Sequence, residues 1–205
     1  MAKKSKIRKA VVMRKTTETE ITVKLNIDGN GKSKINTGIG ILDHMLQLFS
    51  FWGHFDLEVK AKGDLNIDIH HTNEDLGIVL GQAFKKALGD MRGIKRLGAF
   101  SVPMEEVVAS VVLDISGRGS LKLKTPGFGQ MPQSKDGYSL KEAEHFLESF
   151  AQHLGVNLDI TIAPLVSDLH IDLETAFKAL GVALDQATQI DPRRKGIPST
   201  KGVID

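Results

Sequence analysis

The 205-residue chain contains no cysteine, so disulfide bonds and thiolate chemistry are both excluded. It has one tryptophan and one tyrosine, which is few for a surface that stacks nucleic-acid bases. It also lacks a run of 18 apolar residues and a signal-peptide pattern at its start. We therefore expect a soluble, cytoplasmic protein that binds neither nucleic acid nor membrane.

Charge and composition are equally unremarkable, with a net charge of +2, 41% hydrophobic residues and 25% charged residues. Lysine and arginine cluster only in the short segments 3–9 and 193–195, which are typical of solvated surface. No linker rich in proline, glycine or serine divides the chain. We predict one compact catalytic domain made of two half-repeats, residues 1–98 and 99–205.

A repeated spacing of histidine and glutamate is the main feature of the sequence. His44 precedes His70 by 26 residues, and His145 precedes His170 by 25 residues. A glutamate follows each later histidine by four residues. The flanking segments also align: 55–59 with 156–160, and 74–83 with 174–183. A duplicated metal-binding unit would leave such a pattern.

Hydrophobic periodicity predicts the same order of elements, strands then helix then strands then helix, in both halves. Helices that each carry an apolar stripe must cover a sheet, which gives an α+β fold built from two similar halves. The predicted strands are 19–27, 55–60, 65–69, 107–115, 119–124 and 158–162. The predicted helices begin near 42, with Asp43 as N-cap, and span 71–88, 140–153 and 171–187; residues 126–135 are predicted to form a loop.

Helical geometry suggests how the histidines can bind metal. His70 and His71 lie four and three residues before Glu74, so both can approach it at the start of a helix. Adjacent helical residues point about 100° apart, which favours two metals that each take one histidine. His44 and His145, near the starts of other helices, can complete the two ligand sets.

Imidazole and carboxylate ligands suit Mn²⁺, Fe²⁺, Co²⁺ or Zn²⁺, and the absence of thiolates favours sites that are open to substrate. His54 and His153 lie outside the repeated set, and we interpret them as structural. Arg96, Arg118 and the tail segment 198–202 are candidate anion anchors, because guanidinium, hydroxyl and ammonium groups bind phosphate or carboxylate. Together these groups suggest a small phosphorylated substrate.

Five segments of the chain resemble the imidazoleglycerol-phosphate dehydratases of histidine biosynthesis. They are residues 37–46 (TGIGILDHML), 63–75 (GDLNIDIHHTNED), 115–118 (ISGR), 174–179 (ETAFKA) and 191–202 (DPRRKGIPSTKG). The resemblance extends from Arg14 to Ile204. It implies a duplicated fold like the second domain of ribosomal protein S5, and trimers that assemble into an octahedral shell of 24 subunits.

The same resemblance implies the chemistry. Two Mn²⁺ ions, held by residues of two subunits, would bind the substrate imidazole as an imidazolate. Loss of a C–H proton and a hydroxyl through a diazafulvene-like intermediate would give imidazole-acetol phosphate. The metal ligands implied are His44, His70, His71, Glu74, His145, His170 and Glu174. The implied substrate contacts are Glu18, Arg96, Arg118, Ser199, Thr200 and Lys201, with Glu18 and Glu174 as catalytic carboxylates.

The chain departs from the family pattern in its second histidine block. That block has two adjacent histidines in the family, whereas this sequence has His170 followed by Ile171. An alternative alignment places Leu169 and His170 over the pair, and either alignment lacks one imidazole. Asp168 or Asp172 would then be the substitute ligand. We expect one of the two metal positions to be weaker than the other.

Two other functions are compatible with the same residues. One is a diverged paralogue that keeps the shell but has lost catalysis, and the other is a di-metal hydrolase acting on another small phosphorylated substrate. Retention of Glu18, both arginines and Ser199 to Lys201 favours the dehydratase, because a scaffold needs none of them.

Overall fold

Alternating apolar residues produce one central strand in each half of the protein. In the computed structural model, β2 (Thr19–Asn26) and β6 (Val107–Asp114) have the same alternation of buried and open positions along their eight residues. Because side chains alternate between the two faces of a sheet, each strand presents one apolar face to the core. The structure describes residues 8–126, 134–135, 137–164 and 168–204.

The described residues form two four-stranded sheets and four helices, in the same order in each half. The first half contains β1 (Lys9–Lys15), β2, β3 (Ser33–Asn36), α1 (Gly40–Trp52), β4 (Asp56–Gly63) and α2 (His70–Leu88). The second half contains β5 (Leu97–Met104), β6, β7 (Ser120–Lys124), α3 (Leu140–Leu154), β8 (Asn157–Ala163) and α4 (Leu169–Thr188). The strand orders β1-β2-β4-β3 and β5-β6-β8-β7 are equivalent, and the predicted duplicated α+β fold is confirmed.

The helices lie between the sheets and pair across the two halves. Helix α2 covers the first sheet and packs on α3, whereas α4 covers the second sheet and packs on α1. Glycine permits both crossings: a Cβ at Gly81 would lie 2.7 Å from the Phe150 carbonyl oxygen, and one at Gly181 would lie 2.6 Å from that of Phe49. Each helix pair therefore joins one helix from each half, and a single apolar core extends through both.

Two local predictions are wrong. Residues 65–69 form turns rather than a strand, because β4 ends at Gly63 and the Ile67 amide donates to the Asp64 carbonyl (2.8 Å). Asp43 lies inside α1, whose N-cap is Ile39, and its carboxylate accepts hydrogen bonds from the amide and hydroxyl of Thr37.

Of the remaining local predictions, some agree with the structure and some fall on residues that the structure does not describe, and three strands were not predicted. The helices were predicted to within two residues at the bounds given, whereas β1, β3 and β5 were not predicted. The predicted loop 126–135 lies largely outside the described residues, as does most of the basic segment 3–9. None of the described helices is long and apolar enough to cross a bilayer.

Candidate metal centre

The crossed helix pairs bring the repeated histidines and glutamates into two clusters. The first cluster consists of His70 and Glu74 on α2 with His145 on α3. The second cluster consists of His170 and Glu174 on α4 with His44 on α1. In each cluster the three ligand atoms lie within 4.8 Å of one another, and the described residues form no third group of this kind. Each cluster therefore contains donors from both halves of the chain.

The first cluster is the more open of the two. Glu74 Oε2 lies 3.8 Å from His70 Nε2 and 3.9 Å from His145 Nε2, and its side chain is 43% exposed. The rings of His70 and His145 stack with their centroids 4.4 Å apart. Three unconstrained donors thus face a common space at the surface.

The second cluster has the same arrangement but is tighter. Glu174 Oε2 lies 3.0 Å from His170 Nε2 and 3.5 Å from His44 Nε2, and the two imidazole rings stack at 4.9 Å. Lys178 Nζ lies 2.6 Å from the other oxygen, Oε1. Partial burial acts to raise the pKa of Glu174, but Lys178 and the two histidines outweigh it and hold the pKa below its usual range.

Matching hydrogen bonds between an aspartate and a histidine amide define the register between α2 and α4. The amide of His70 donates to Asp68 Oδ1 at 2.8 Å, and the amide of His170 donates to Asp168 Oδ1 at 2.9 Å. His170 is therefore the equivalent of His70, which supports the first alignment. Ile171 then occupies the position of His71 and is partly buried against the core.

His71 lies outside both clusters of its own chain. Its Nδ1 is 3.0 Å from Asp64 Oδ2, and its Nε2 is 3.8 Å from Glu18 Oε1. Its ring makes only an edge contact with that of His70, with centroids 6.0 Å apart, and of the two adjacent histidines only His70 belongs to a cluster. The hydrogen bond to Asp64 raises the pKa of His71 against partial desolvation, and the charge of Glu18 adds to the effect.

The suggested oxygen substitutes are not positioned in the clusters. Asp168 caps α4 through its bond to the His170 amide. Asp172 is fully buried, and two residues along a helix from His170 it projects from the opposite side. Within the described part of the chain, no additional carboxylate in either cluster therefore substitutes for the histidine that is missing at Ile171.

Two of the predicted anion anchors, Arg96 and the tail segment, lie near the far end of α4. Arg96 forms a two-point ion pair with Asp114 (2.5 and 2.9 Å) and donates to the Pro198 carbonyl at 3.0 Å. Its own amide donates to the Ala187 carbonyl, 17 residues after His170. At 1.5 Å per residue this is about 25 Å along the helix axis.

The remaining anchors are held in turns. Ser199 Oγ accepts from the Lys201 amide at 3.2 Å, while the side chain of Lys201 and Thr200 are exposed. Arg118 is also exposed and follows Gly117, whose amide donates to the Gly155 carbonyl at the end of α3. The anchors of one chain therefore do not surround the second cluster of that same chain.

Sequence reasoning missed two side chains that contact the donors. Lys178 follows Glu174 by four residues, a spacing that brings opposite charges together on a helix and that was detectable in the sequence. Asp64 precedes His71 by seven residues through a turn, and no local rule predicts that contact.

The donor chemistry of both clusters fits a divalent metal. Each offers two imidazole nitrogens and a carboxylate, a set that suits Mn²⁺ and its neighbours in the first transition row. Three protein ligands leave coordination positions for water, substrate or a residue of another chain. The clusters are thus suited to a catalytic metal rather than a closed structural one.

Comparison with known proteins gives one consistent result. The family model for imidazoleglycerol-phosphate dehydratase matches residues 37–184. Proteins of that name from Pelobacter propionicus and Caldanaerobacter subterraneus subsp. tengcongensis are 49% and 50% identical over 199 and 198 residues, covering 96–97% of this chain and 99–100% of each relative.

Solved structures agree with this result. The enzyme of Pyrococcus furiosus superposes with a TM-score of 0.78 at 32% identity, covering 94% of this chain and 99% of that protein. The enzyme of Staphylococcus aureus gives 0.75 at 30% identity, covering 89% and 100%. The family-model match over residues 37–184, the full-length relatives and the shared fold together establish that the chain belongs to the imidazoleglycerol-phosphate dehydratase family.

Proposed function

We propose that this protein is a hydro-lyase that converts imidazole glycerol phosphate to imidazole-acetol phosphate and water in histidine biosynthesis. The observation that carries the proposal is the pair of matched clusters, each with two imidazoles and one carboxylate, in a chain of this family. A duplicated donor set fits a substrate whose imidazole ring has two nitrogens. The phosphate of the substrate would use the arginine and tail anchors.

We propose Mn²⁺ as the metal, held by the first cluster through His70, Glu74 and His145 and by the second through His44, His170 and Glu174. Two such ions would supply Lewis acidity that draws electrons from the substrate imidazole, which by itself is a poor electron sink. The carboxylates offset part of the positive charge. We propose that His71, outside both clusters of its own chain, serves a cluster of a neighbouring subunit.

Glu18 is the group best placed to move protons. Its side chain is 50% exposed and lies 3.8 Å from His71, so it would accompany that histidine to the site His71 serves, whereas both oxygens of Glu174 are engaged by Lys178 and the histidines. Dehydration removes one proton from carbon and delivers one to the departing hydroxyl, and a single mobile carboxylate can do both. Glu174 then acts mainly as a ligand.

The position of the anchors supports a site shared between subunits. The substrate, an imidazole joined to a three-carbon phosphate ester, spans about 10 Å from its bond lengths. Arg96 and the tail lie near the end of α4, about 25 Å along the helix from His170. One molecule cannot reach both within one chain, so we propose a homo-oligomer, with trimers that form a 24-subunit shell, whose tails complete neighbouring sites.

An activity assay tests the proposal directly. The purified protein, loaded with Mn²⁺, should release imidazole-acetol phosphate from imidazole glycerol phosphate, and a chelator should abolish the reaction. The Glu74→Gln variant should lose metal and activity but keep its fold, because the amide is nearly isosteric but uncharged. Glu144→Gln, an exposed glutamate beside His145, is the matched control and should keep both.

Two other outcomes identify the alternative functions. Metal binding with assembly but no turnover would favour a non-catalytic shell protein, for which the loss of a histidine at Ile171 is the supporting observation. Hydrolysis of other small phosphate esters, with no dehydration, would favour a di-metal hydrolase.

A further inference from the structure

The two clusters are equivalent in their donors but not in their surrounding charge. Four residues after Glu174 on α4 is Lys178, and four residues after Glu74 on α2 is Ile78. The matching hydrogen bonds of the His70 amide to Asp68 and of the His170 amide to Asp168 establish that these two positions correspond. Only one of the two metal-binding carboxylates thus has a lysine one helical turn away.

Lys178 is held firmly against its cluster. Its Nζ lies 2.6 Å from Glu174 Oε1 and 6.0 Å from the centre of the Trp52 ring, which lies at the end of α1. The side chains of Lys178 and Glu174 are only 19% and 12% exposed. Water therefore screens this ion pair less than it would at an open surface, and the indole ring adds a further attraction for the ammonium.

Among the described residues, the first cluster has no such cation. Within the described residues, the ion-pair partners of Glu74 are the two imidazoles of its own cluster, His70 and His145. With neutral imidazoles the first cluster carries the charge of one carboxylate. In the second cluster the same charge is offset by Lys178.

We propose that Lys178 is a built-in competitor for metal at the second cluster. The ammonium occupies Oε1, so a divalent cation would bind Glu174 through Oε2, the oxygen that faces the two histidines of the cluster. Two like charges beside one carboxylate also repel each other, and they do so more strongly where burial limits screening. Metal binding there must displace Lys178 or accept its repulsion, so this residue lowers the metal affinity of the second cluster at least tenfold.

The proposal rests on the proposed function only in that both clusters bind metal. It concerns how strongly the second cluster binds metal. The affinity of that cluster depends on the charge at position 178, one turn after Glu174.

Calorimetric titration with Mn²⁺ tests the proposal without any assay of catalysis. The Glu74→Gln background isolates the second cluster, and adding Lys178→Met removes the ammonium while keeping a side chain of similar length. The dissociation constant of the second cluster should fall at least tenfold. Lys178→Arg keeps the charge and should leave the affinity weak, and Lys85→Met makes the same chemical change at an exposed position of α2 and should have no effect.

A reciprocal variant does not depend on the folding of the Lys178 variants. Ile78→Lys in the Glu174→Gln background places a lysine one turn after Glu74 and should weaken the first cluster at least tenfold. Circular dichroism confirms the fold of each protein. An unchanged dissociation constant on removal of Lys178, with two metals bound by the parent, overturns this inference alone. A parent that binds no Mn²⁺ at either cluster overturns both this inference and the proposed function.

Discussion

Ile171 is the residue at which the duplication fails. Its counterpart, His71, has a hydrogen-bonding partner in Asp64 and a side chain that is 34% exposed. Ile171 instead packs partly against the apolar core. If His71 completes a cluster of a neighbouring subunit, the equivalent position cannot do the same for the other cluster. The protein then has seven donors for two metals, an uneven number.

Replacing Ile171 with histidine should restore the missing donor. We expect the Ile171→His variant to bind one of its two Mn²⁺ ions at least tenfold more tightly, a change of about 1.4 kcal/mol, because a new imidazole joins an incomplete ligand set. Calorimetric titration of the assembled protein measures both affinities. Ile171→Leu keeps the apolar character and should match the parent. Two equal and tight sites in the parent would contradict the prediction.

His71 and Asp64 should make the stability of the metal-free protein depend on pH. Asp64 raises the pKa of His71 above its ordinary value of 6.5, so protonated His71 is favoured in the folded state. The stabilising contribution is therefore fully present below pH 6.5 and is lost as the pH rises through the raised pKa. In the Asp64→Asn variant the pKa should fall toward 6.5.

Two measurements check the role of Asp64. NMR titration of the His71 ring gives its pKa in the parent and in Asp64→Asn. The difference in Tm between the two proteins should be larger at about pH 5.5 than at about pH 8.5. A difference in Tm that is the same at both pH values would show that Asp64 acts through neutral hydrogen bonding alone.

At the scale of elements, the glycines of α2 and α4 determine which helices meet. Gly81 lies against the backbone of α3, and Gly181 lies against the backbone of α1, at equivalent points. Both glycines lie seven residues, about two turns, beyond the cluster glutamates of their helices. The close approach of the backbones therefore sets the distance between each glutamate and the histidine on the partner helix.

Gly81→Ala should destabilise the protein by about 1–3 kcal/mol, because the added methyl group overlaps a backbone carbonyl that cannot move without separating the helices. Chemical denaturation measures the free energy of unfolding. Gly40→Ala is the matched control: a Cβ there meets no atom within 4 Å, so the substitution should stabilise α1 by about 0.5–1 kcal/mol. Equal effects at both positions would show that helix propensity, and not the crossing, decides the outcome.

At the scale of the whole molecule, the distance between donors and anchors makes a single chain insufficient for the proposed reaction. Arg96 is also committed within its chain to Asp114 and the Pro198 carbonyl, so it holds the tail in place as well as offering charge. The exposed side chain of Lys201 is then the more accessible phosphate contact. The metal clusters that bind the same substrate molecule would lie on another subunit.

Mixed oligomers should therefore be more active than the mean of their two parents. Glu74→Gln lacks a metal-binding carboxylate, and Lys201→Ala lacks a phosphate contact and should chiefly raise KM. Equal amounts, dissociated with a chelator and reassembled with Mn²⁺, should contain about one quarter of sites with both groups intact if each site joins two subunits. Assays at substrate concentrations below the wild-type KM detect these intact sites. Activity equal to the mean of the unmixed variants would place the whole site within one chain.

The sequence alone determined the features that depend on local spacing. The separation of His170 and Glu174 by four residues puts both on one helical face, whatever the rest of the fold does. Periods of 2 and 3.6 residues identified the central strands, the edge strand β7 and all four helices, but not the edge strands β1, β3 and β5. Each missed strand buries at most one residue, so burial imposes little alternation on its sequence, whereas β7 alternates polar and apolar residues.

Only the tertiary structure decided which histidines and glutamates share a cluster. His44 lies 26 residues before His70, yet it joins His170 on the opposite half, because α1 packs on α4 and not on α2. That choice depends on contacts between residues more than 100 positions apart, including the approach of Gly181 to Phe49. Local periodicity carries no information on such pairings, since shape complementarity across the core selects them.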